Sequence, residues 1–126
     1  MTFSDLKGVD NIQFGDSRDK VRKEFGEFTE FRKNKFSKNT TDDFKSFHVY
    51  YNTENKVEAI EFFPESNLEF NGKKLFELKF SDFNFEDADI EKDADSITFK
   101  TLGFSVYSPS NSKVESIIVF GKDYYG

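Results

Sequence analysis

The sequence predicts an α+β fold with an antiparallel β-sheet of about six strands, formed by two similar helix-plus-hairpin halves, with short helices on one face. The first reason is a 15-residue segment that occurs twice. The second is composition: 18 Phe and 5 Tyr among 126 residues supply enough apolar area for a core built from aromatics. The third is length, which suits one domain. We therefore expect a single domain, residues 1–126, with halves at approximately 10–66 and 67–126.

The repeated segment covers residues 49–63 and, without a gap, residues 106–120, and seven of the fifteen positions are identical. Each copy has a strand, a polar turn and a second strand, which predicts two hairpins. Apolar residues on both faces of 57–63 indicate a strand in the middle of the sheet. In the repeat, Glu61 corresponds to Ile118. Glu61 is therefore either exposed in this half or placed on an open sheet face where it meets a partner.

The remaining elements follow from local signals. A short helix is predicted to begin at Asp16 or Ser17, which can cap free amides, and to end at Gly26. Residues 28–36 are assigned to a strand and 38–43 to a loop, because the latter have no apolar side chain. In the second half Asn71-Gly72 marks a turn. Residues 75–87 form a helix or, around Phe83, a strand, and strands follow at 96–99, 103–108 and 114–120.

Catalytic and metal-binding patterns are weak. The chain contains no Cys and one His, His48, within an alternating strand pattern where a structural or surface role is favoured over a general base. The alternating acids of residues 87–95 suggest calcium, but Lys92 stands where a calcium loop needs glycine. The prediction is a protein without enzyme activity and without a cofactor.

Charge is polarised along the chain. Residues 18–38 carry eight basic and four acidic side chains, whereas residues 82–95 carry seven acidic side chains and one lysine. Such an acidic segment disfavours nucleic acid and favours a basic protein partner, although a solvated acidic loop would have the same composition. The candidate partner-binding residues are Glu86, Asp87, Asp89, Glu91, Asp93 and Asp95, with Glu61 and Tyr51 as further candidates.

Two resemblances bear on function. The residues Gly15-x-Ser17-x-x-x-Val21-x-x-x-Phe25-Gly26 resemble the opening of the units of the β-lactamase-inhibitor-protein-like fold, which small outer-membrane assembly lipoproteins share. That resemblance implies a tandem repeat and a structural or assembly module that binds an envelope protein or peptide. The chain departs from it in lacking a lipidation Cys, a proline soon after Gly26 and a second motif copy beyond Gly72.

The second resemblance is to the immunity proteins of bacterial polymorphic and contact-dependent toxins. It rests on the Lys-Val-Glu-Ala/Ser-Ile strands, on residues 102–107 and on the terminal Tyr-Tyr. It implies an inhibitor that occludes one toxin domain, and the acidic segment favours a basic toxin. No run approaches the roughly 20 apolar residues of a membrane helix, so membrane insertion is not expected. If Met1 is the native start, a cytoplasmic location is expected.

Overall fold

The computed structural model describes residues 1–4, 8–32, 35, 39–109, 113–121 and 124. The predicted second-hairpin turn at 110–112 lies outside these residues, as do Lys33, Phe36, Lys38 and the last two residues. The described chain is mostly β-structure in two sheets, with one α-helix. The α+β class and the antiparallel main sheet are confirmed, but the prediction of about six strands was too low. The main sheet alone has eight strands, and a second sheet has five.

The eight-stranded sheet is antiparallel throughout. Its strands are β4 (Thr29–Phe31), β5 (Thr41–Asp43), β6 (Phe47–Tyr51), β7 (Val57–Phe62), β10 (Ile90–Lys92), β11 (Ser96–Phe99), β12 (Phe104–Tyr107) and β13 (Ser116–Phe120). Their order across the sheet is β10-β11-β12-β13-β7-β6-β5-β4. The strand predicted to lie in the middle, β7, pairs on both sides, which confirms the prediction from its two apolar faces.

The smaller sheet is formed by short segments that precede each half of the large one. Its strands are β1 (Thr2–Ser4), β2 (Gly8–Val9), β3 (Ile12–Gln13), β8 (Glu69–Phe70) and β9 (Lys73–Lys74). Their order is β3-β2-β1-β8-β9, and the β1–β8 pair is parallel. The predicted Asn71-Gly72 turn joins β8 to β9, with both residues at positive φ. None of these strands was predicted, because two or three residues are too few to show a period.

The two copies of the repeated segment form the two central hairpins. Val49 faces Ile60 in the first, and the residues 57 positions later, Val106 and Ile117, face each other in the second. Where the hairpins meet, Glu61 of β7 faces Ile118 of β13, its own repeat equivalent. A local twofold axis therefore passes between these two residues. It relates the strands β4-β5-β6-β7 to the strands β10-β11-β12-β13.

The helix α1 (Arg18–Phe25) begins and ends where the sequence predicts. The Ser17 side chain accepts a hydrogen bond from the backbone N–H of Lys20 at 3.2 Å, and Gly26 adopts a φ of 80° while its N–H bonds to Arg22. Val21 is fully buried and Phe25 packs against the core. The amphipathic pattern thus places α1 on one face of the large sheet.

Two predicted elements differ from the structure. Residues 41–43, expected in a loop, form strand β5, because the buried carboxylate of Asp42 is paired with arginines of α1. The helix expected at 75–87 is instead two 3₁₀ turns, Leu75–Glu77 and Phe80–Asp82. Helix-breaking polar residues shorten it, and the ring of Phe83 is drawn into the core.

The core lies between the large sheet on one side and α1 with the small sheet on the other. Phenylalanines dominate it, as the composition predicts: Phe104 contacts the rings of Phe3, Phe70, Phe85 and Phe99 at centroid distances of 4.9 to 6.0 Å. Large rings cover much area per residue, which lets a chain of 36% hydrophobic residues close its core.

Candidate functional site

The large sheet has one covered face and one open face, and side-chain alternation assigns residues to each. The covered face carries the core residues of every central strand, such as Val49, Ile60 and Phe62. The open face carries His48, Tyr50, Glu61, Thr98, Ser105 and Ile118. Around its centre Tyr50, Ala59 and Phe120 form a small second cluster, and Tyr124 stacks on Phe120 with ring centroids 5.4 Å apart.

The predicted acidic residues lie around strand β10, at one end of the large sheet. All three residues of β10 are exposed, and so are Glu86, Asp89, Asp93 and Asp95. Glu91 forms an ion pair with Lys100 at 3.2 Å. The predicted alternation holds over the strand, since Glu91 faces Thr98 on the open face whereas Ile90 and Lys92 face Phe99 and Ile97 on the other. We refer to Asp89, Glu91 and Asp93 as the acidic edge.

Asp87, also predicted as a partner-binding residue, holds the local loop together. Its carboxylate accepts hydrogen bonds from the backbone N–H groups of Asp89 at 2.8 Å, Leu102 at 2.8 Å and Thr101 at 3.2 Å. Burial by itself would raise the pKa of Asp87, but these amides outweigh it and keep the pKa below its ordinary value. Both carboxylate oxygens of Asp87 therefore accept hydrogen bonds from the protein's own backbone, and through these bonds the residue positions the segment that carries the acidic edge.

Glu61 lies on the open face and is half-buried, a position that by itself favours neither of the two sequence interpretations. The Tyr50 hydroxyl donates a hydrogen bond to its Oε1 atom. Burial, with a further contribution from this bond, raises the pKa of Tyr50. The carboxylate tolerates an otherwise apolar repeat position because the neighbouring strand supplies this donor.

His48 sits beside Glu61 on the same face. Its ring lies edge-on between Phe31 and Phe63, at centroid distances of 5.0 and 4.8 Å, and its Nε2 atom is 3.5 Å from Asp43 Oδ1. These contacts give the imidazole a packing role in an aromatic row along the open face.

Tyr51, the last of the predicted partner-binding residues, is in the core, with 6% of its surface exposed. Strand alternation turns it to the covered face, where its hydroxyl donates to Asp42 Oδ2 at 2.9 Å and Arg18 stacks over its ring at 4.5 Å. Burial, followed by the bond to Asp42, raises the pKa of Tyr51. Its side chain is therefore not available to a partner.

The sequence analysis missed the cluster to which Tyr51 belongs. Asp42 is fully buried, and its carboxylate also accepts bonds from Arg18 Nη2 at 2.9 Å and from Arg22 Nε and Nη2 at 2.9 and 2.8 Å. Burial opposes ionisation of Asp42, yet Arg22, Arg18 and Tyr51 together hold its pKa below the ordinary value. The sequence gives only a weak indication of this cluster. Arg18 and Arg22 are four residues apart and so share a helix face, but Asp42 stands in a stretch without any apolar residue, which does not predict a buried strand.

An apolar groove crosses the end of the central hairpins. Two adjoining cavities of about 750 Å³ each share Pro64, Lys113 and Val114 in their walls. Phe63 and Pro109 extend the apolar wall on one side, and on the other Phe76, Leu78 and Phe80 extend it. The groove has the size of an ordinary ligand or peptide side-chain site.

Within the residues that the structure describes, no group of three or more His, Asp or Glu side chains is placed to hold a metal ion. The same residues include no helix that is both long enough and apolar enough to cross a membrane. Comparison of the chain with protein-family models, curated proteins and solved structures gives no match. The functional argument therefore rests on the surfaces described above.

Proposed function

We propose that this protein is a non-catalytic protein-binding module, an immunity-type inhibitor that neutralises a cognate bacterial toxin by occluding a basic surface of the toxin domain. The observation that carries the proposal is the exposure of the acidic edge at a free end of the large sheet. Pairing with β11 holds the backbone of this segment in an extended conformation, so less ordering of the main chain is needed on binding.

The basic and the acidic segment differ in how the fold uses their charges, and this difference supports the proposal. Two of the basic side chains, Arg18 and Arg22, form ion pairs with the buried Asp42, and Arg22 also pairs with Glu30 at 3.0 Å. The acidic edge has one such pair, between Glu91 and Lys100. Exposed acidic side chains thus outnumber basic ones around β10, at this end of the sheet. A field of this sign steers basic partners to that end.

The proposed mechanism is occlusion. The carboxylates of the acidic edge, with Glu86 and Asp95 beside them, pair with basic side chains of the partner and cover the surface on which they stand. Because these charges are at the rim of the sheet, they contribute mainly to the association rate, and added salt weakens them. Neutralising several together is expected to cost about 2 kcal/mol of binding free energy or more.

The test is capture of the partner on the tagged protein from its source cells at low salt, followed by elution with salt. The eluted protein is then expressed alone and together with this chain in a test host. A basic protein that stops growth alone, and does not when co-expressed, supports the proposal. A captured protein without toxicity, or toxicity that co-expression leaves unchanged, contradicts the immunity function.

A second candidate function is favoured by the apolar groove. A structural or assembly module that binds a peptide or an envelope protein would use Phe63, Pro64 and Val114 as its apolar wall. Its discriminating variant is Pro64→Asp, because Pro64 is exposed and lines both cavities, with the exposed Ile90→Asp as the matched control at the acidic edge. Loss of partner capture only in Pro64→Asp would favour this function over the immunity function.

A further inference from the structure

Strand β10 ends the large sheet, and its hydrogen-bonding pattern shows which backbone groups point outward. The N–H of Asp93 donates to the C=O of Ser96 at 2.9 Å, and the N–H of Lys100 donates to the C=O of Asp89 at 3.0 Å. In an antiparallel pair, hydrogen-bonded and non-hydrogen-bonded residues alternate. Residues 89, 91 and 93 therefore bond inward to β11. The N–H and C=O groups of Ile90 and Lys92 point away from the sheet.

The side chains along this edge also alternate. Asp89, Glu91 and Asp93 lie on the open-face side, while Ile90 and Lys92 lie on the other. Ile90 keeps 42% of its surface exposed, one of the largest values for an apolar side chain among the described residues. The edge thus offers outward main-chain groups, a row of carboxylates on one side, and an apolar contact on the other.

We propose that β10 binds an extended basic segment of the partner as an added antiparallel β-strand. This proposal deepens the proposed function and rests on it: it names the partner's chemistry and the way it docks. Main-chain bonds to Ile90 and Lys92 supply affinity, as in other strand-addition complexes. Alternate Lys or Arg side chains of the segment face the acidic edge, and the apolar residues between them cover Ile90.

Charge selects this occupant over another strand. Three carboxylates recur at every second position on one side of the edge, so an incoming strand with basic residues at the same period pairs with all of them. A second copy of β10 would instead place these carboxylates against one another, which is unfavourable. Pairing of β10 with a second copy of β10 is therefore disfavoured, whereas pairing with a basic strand is favoured. The same repulsion between carboxylates limits aggregation through this edge.

The test uses a blocked peptide with the sequence Lys-Val-Lys-Val-Lys-Val-Lys. When the peptide adds antiparallel to β10 with its lysines facing the acidic edge, its valines oppose Ile90 and Lys92 and the valine N–H groups bond to β10. We expect the peptide to shift the backbone amide signals of Ile90 and Lys92 in nuclear magnetic resonance spectra at low salt. N-methylation of the valines should weaken binding about tenfold or more, because two or more main-chain bonds are lost. N-methylation of the lysines, whose amides point away, is the matched control and should bind as the parent peptide does.

A protein variant provides the complementary test. Ile90→Pro removes an outward N–H and leaves the inward bonds of residues 89, 91 and 93, so the strand should persist, as edge strands accept proline. It should bind the parent peptide several-fold more weakly. If this variant does not fold, the two N-methylated peptides decide the question with the unaltered protein.

Two results would overturn strand addition. One is equal affinity for the N-methyl-valine and N-methyl-lysine peptides, which would mean that charge alone holds the peptide. The other is no shift at Ile90 and Lys92 at any peptide concentration. Neither result would contradict the proposal that the acidic edge occludes the partner. That proposal would instead be contradicted if neutralising Asp89, Glu91 and Asp93 left the affinity for the captured partner unchanged.

Discussion

Removal of Asp42 is expected to destabilise the fold more than most single substitutions, and the structure sets the size of the effect. In Asp42→Ala two guanidinium groups lose a carboxylate that is itself fully buried. Breaking a buried ion pair from one side costs about 3–5 kcal/mol. Arg18 keeps bonds to Thr40, and Arg22 keeps its pair with Glu30, so we expect a loss near the lower end, about 3 kcal/mol.

The repeat relation supplies the control for this prediction. In the second half the position that corresponds to Asp42 across the sheet is Ile97, which faces Val106 as Asp42 faces Val49. The position 57 residues after Arg18 is the buried Leu75. A triple variant, Arg18→Leu, Arg22→Met and Asp42→Ile, should therefore recover most of the stability that Asp42→Ile alone loses. Replacing a whole buried charge cluster by apolar residues is often neutral or stabilising.

The assay is urea denaturation monitored by circular dichroism, with the free energy of unfolding extrapolated to water. The nearly isosteric Asp42→Asn variant adds a pH dependence. Because the folded-state pKa of Asp42 lies below its ordinary value of about 4, its charge stabilises the fold above that pH. The advantage of the wild type over Asp42→Asn should be constant near neutrality and should disappear as the pH falls through the folded-state pKa.

Two outcomes would refute this reasoning. A loss below about 1 kcal/mol in Asp42→Ala would show that the arginines find equivalent partners without the carboxylate. A difference between wild type and Asp42→Asn that is the same at acidic and neutral pH would show that the charge of Asp42 does not contribute.

Three further predictions concern stability, each measured by the same denaturation assay. Asp87→Ala should cost about 1–2 kcal/mol, because three backbone amides lose their acceptor, whereas the exposed neighbour Glu86→Ala should stay within about 0.5 kcal/mol; equal effects would contradict the loop-holding role. Gly8→Ala should cost more than about 2 kcal/mol, since the added Cβ would clash with the backbone carbonyl oxygen of Ile12, and a smaller loss would mean that the hairpin can shift. Phe104→Ala, at the centre of the ring cluster, should cost about 3–5 kcal/mol, and a loss under about 2 kcal/mol would indicate that the neighbouring rings close the cavity.

The sequence predicts the parts of the fold in which a local pattern and its tertiary use agree. The helix α1 has a capping serine at one end and a glycine at the other, so its limits are fixed by backbone chemistry alone. The two hairpins are predicted because the same segment occurs twice and because its strands are four to six residues long, enough to show alternation. Strand β7 is placed in the centre because apolar residues occupy both of its faces.

The parts that the sequence does not predict depend on contacts between distant residues. Strand β5 has no apolar residue, and it is a buried strand only because α1 brings two arginines to Asp42. The five short strands of the small sheet likewise exist because neighbours pair with them. The position of the acidic edge at the end of the sheet follows from the order of eight strands, which no local pattern encodes. Tyr51, predicted as a partner-binding candidate, is buried because its hydroxyl bonds to Asp42, whose own burial no local pattern indicates.

The most direct test of the proposed function is the affinity of the captured partner for three forms of the protein, measured by titration calorimetry at low and high salt. The first form is the wild type. The second neutralises the acidic edge with Asp89→Asn, Glu91→Gln and Asp93→Asn. The third removes the same charge from exposed acids elsewhere with Asp19→Asn, Glu27→Gln and Glu54→Gln.

Occlusion by the acidic edge predicts that the second form binds weaker by about 2 kcal/mol or more at low salt, and that this difference shrinks at high salt. The third form should bind as the wild type does, apart from a small general effect of net charge. Equal affinities of the second and third forms would contradict the proposed function, because they would show that the partner does not contact the acidic edge.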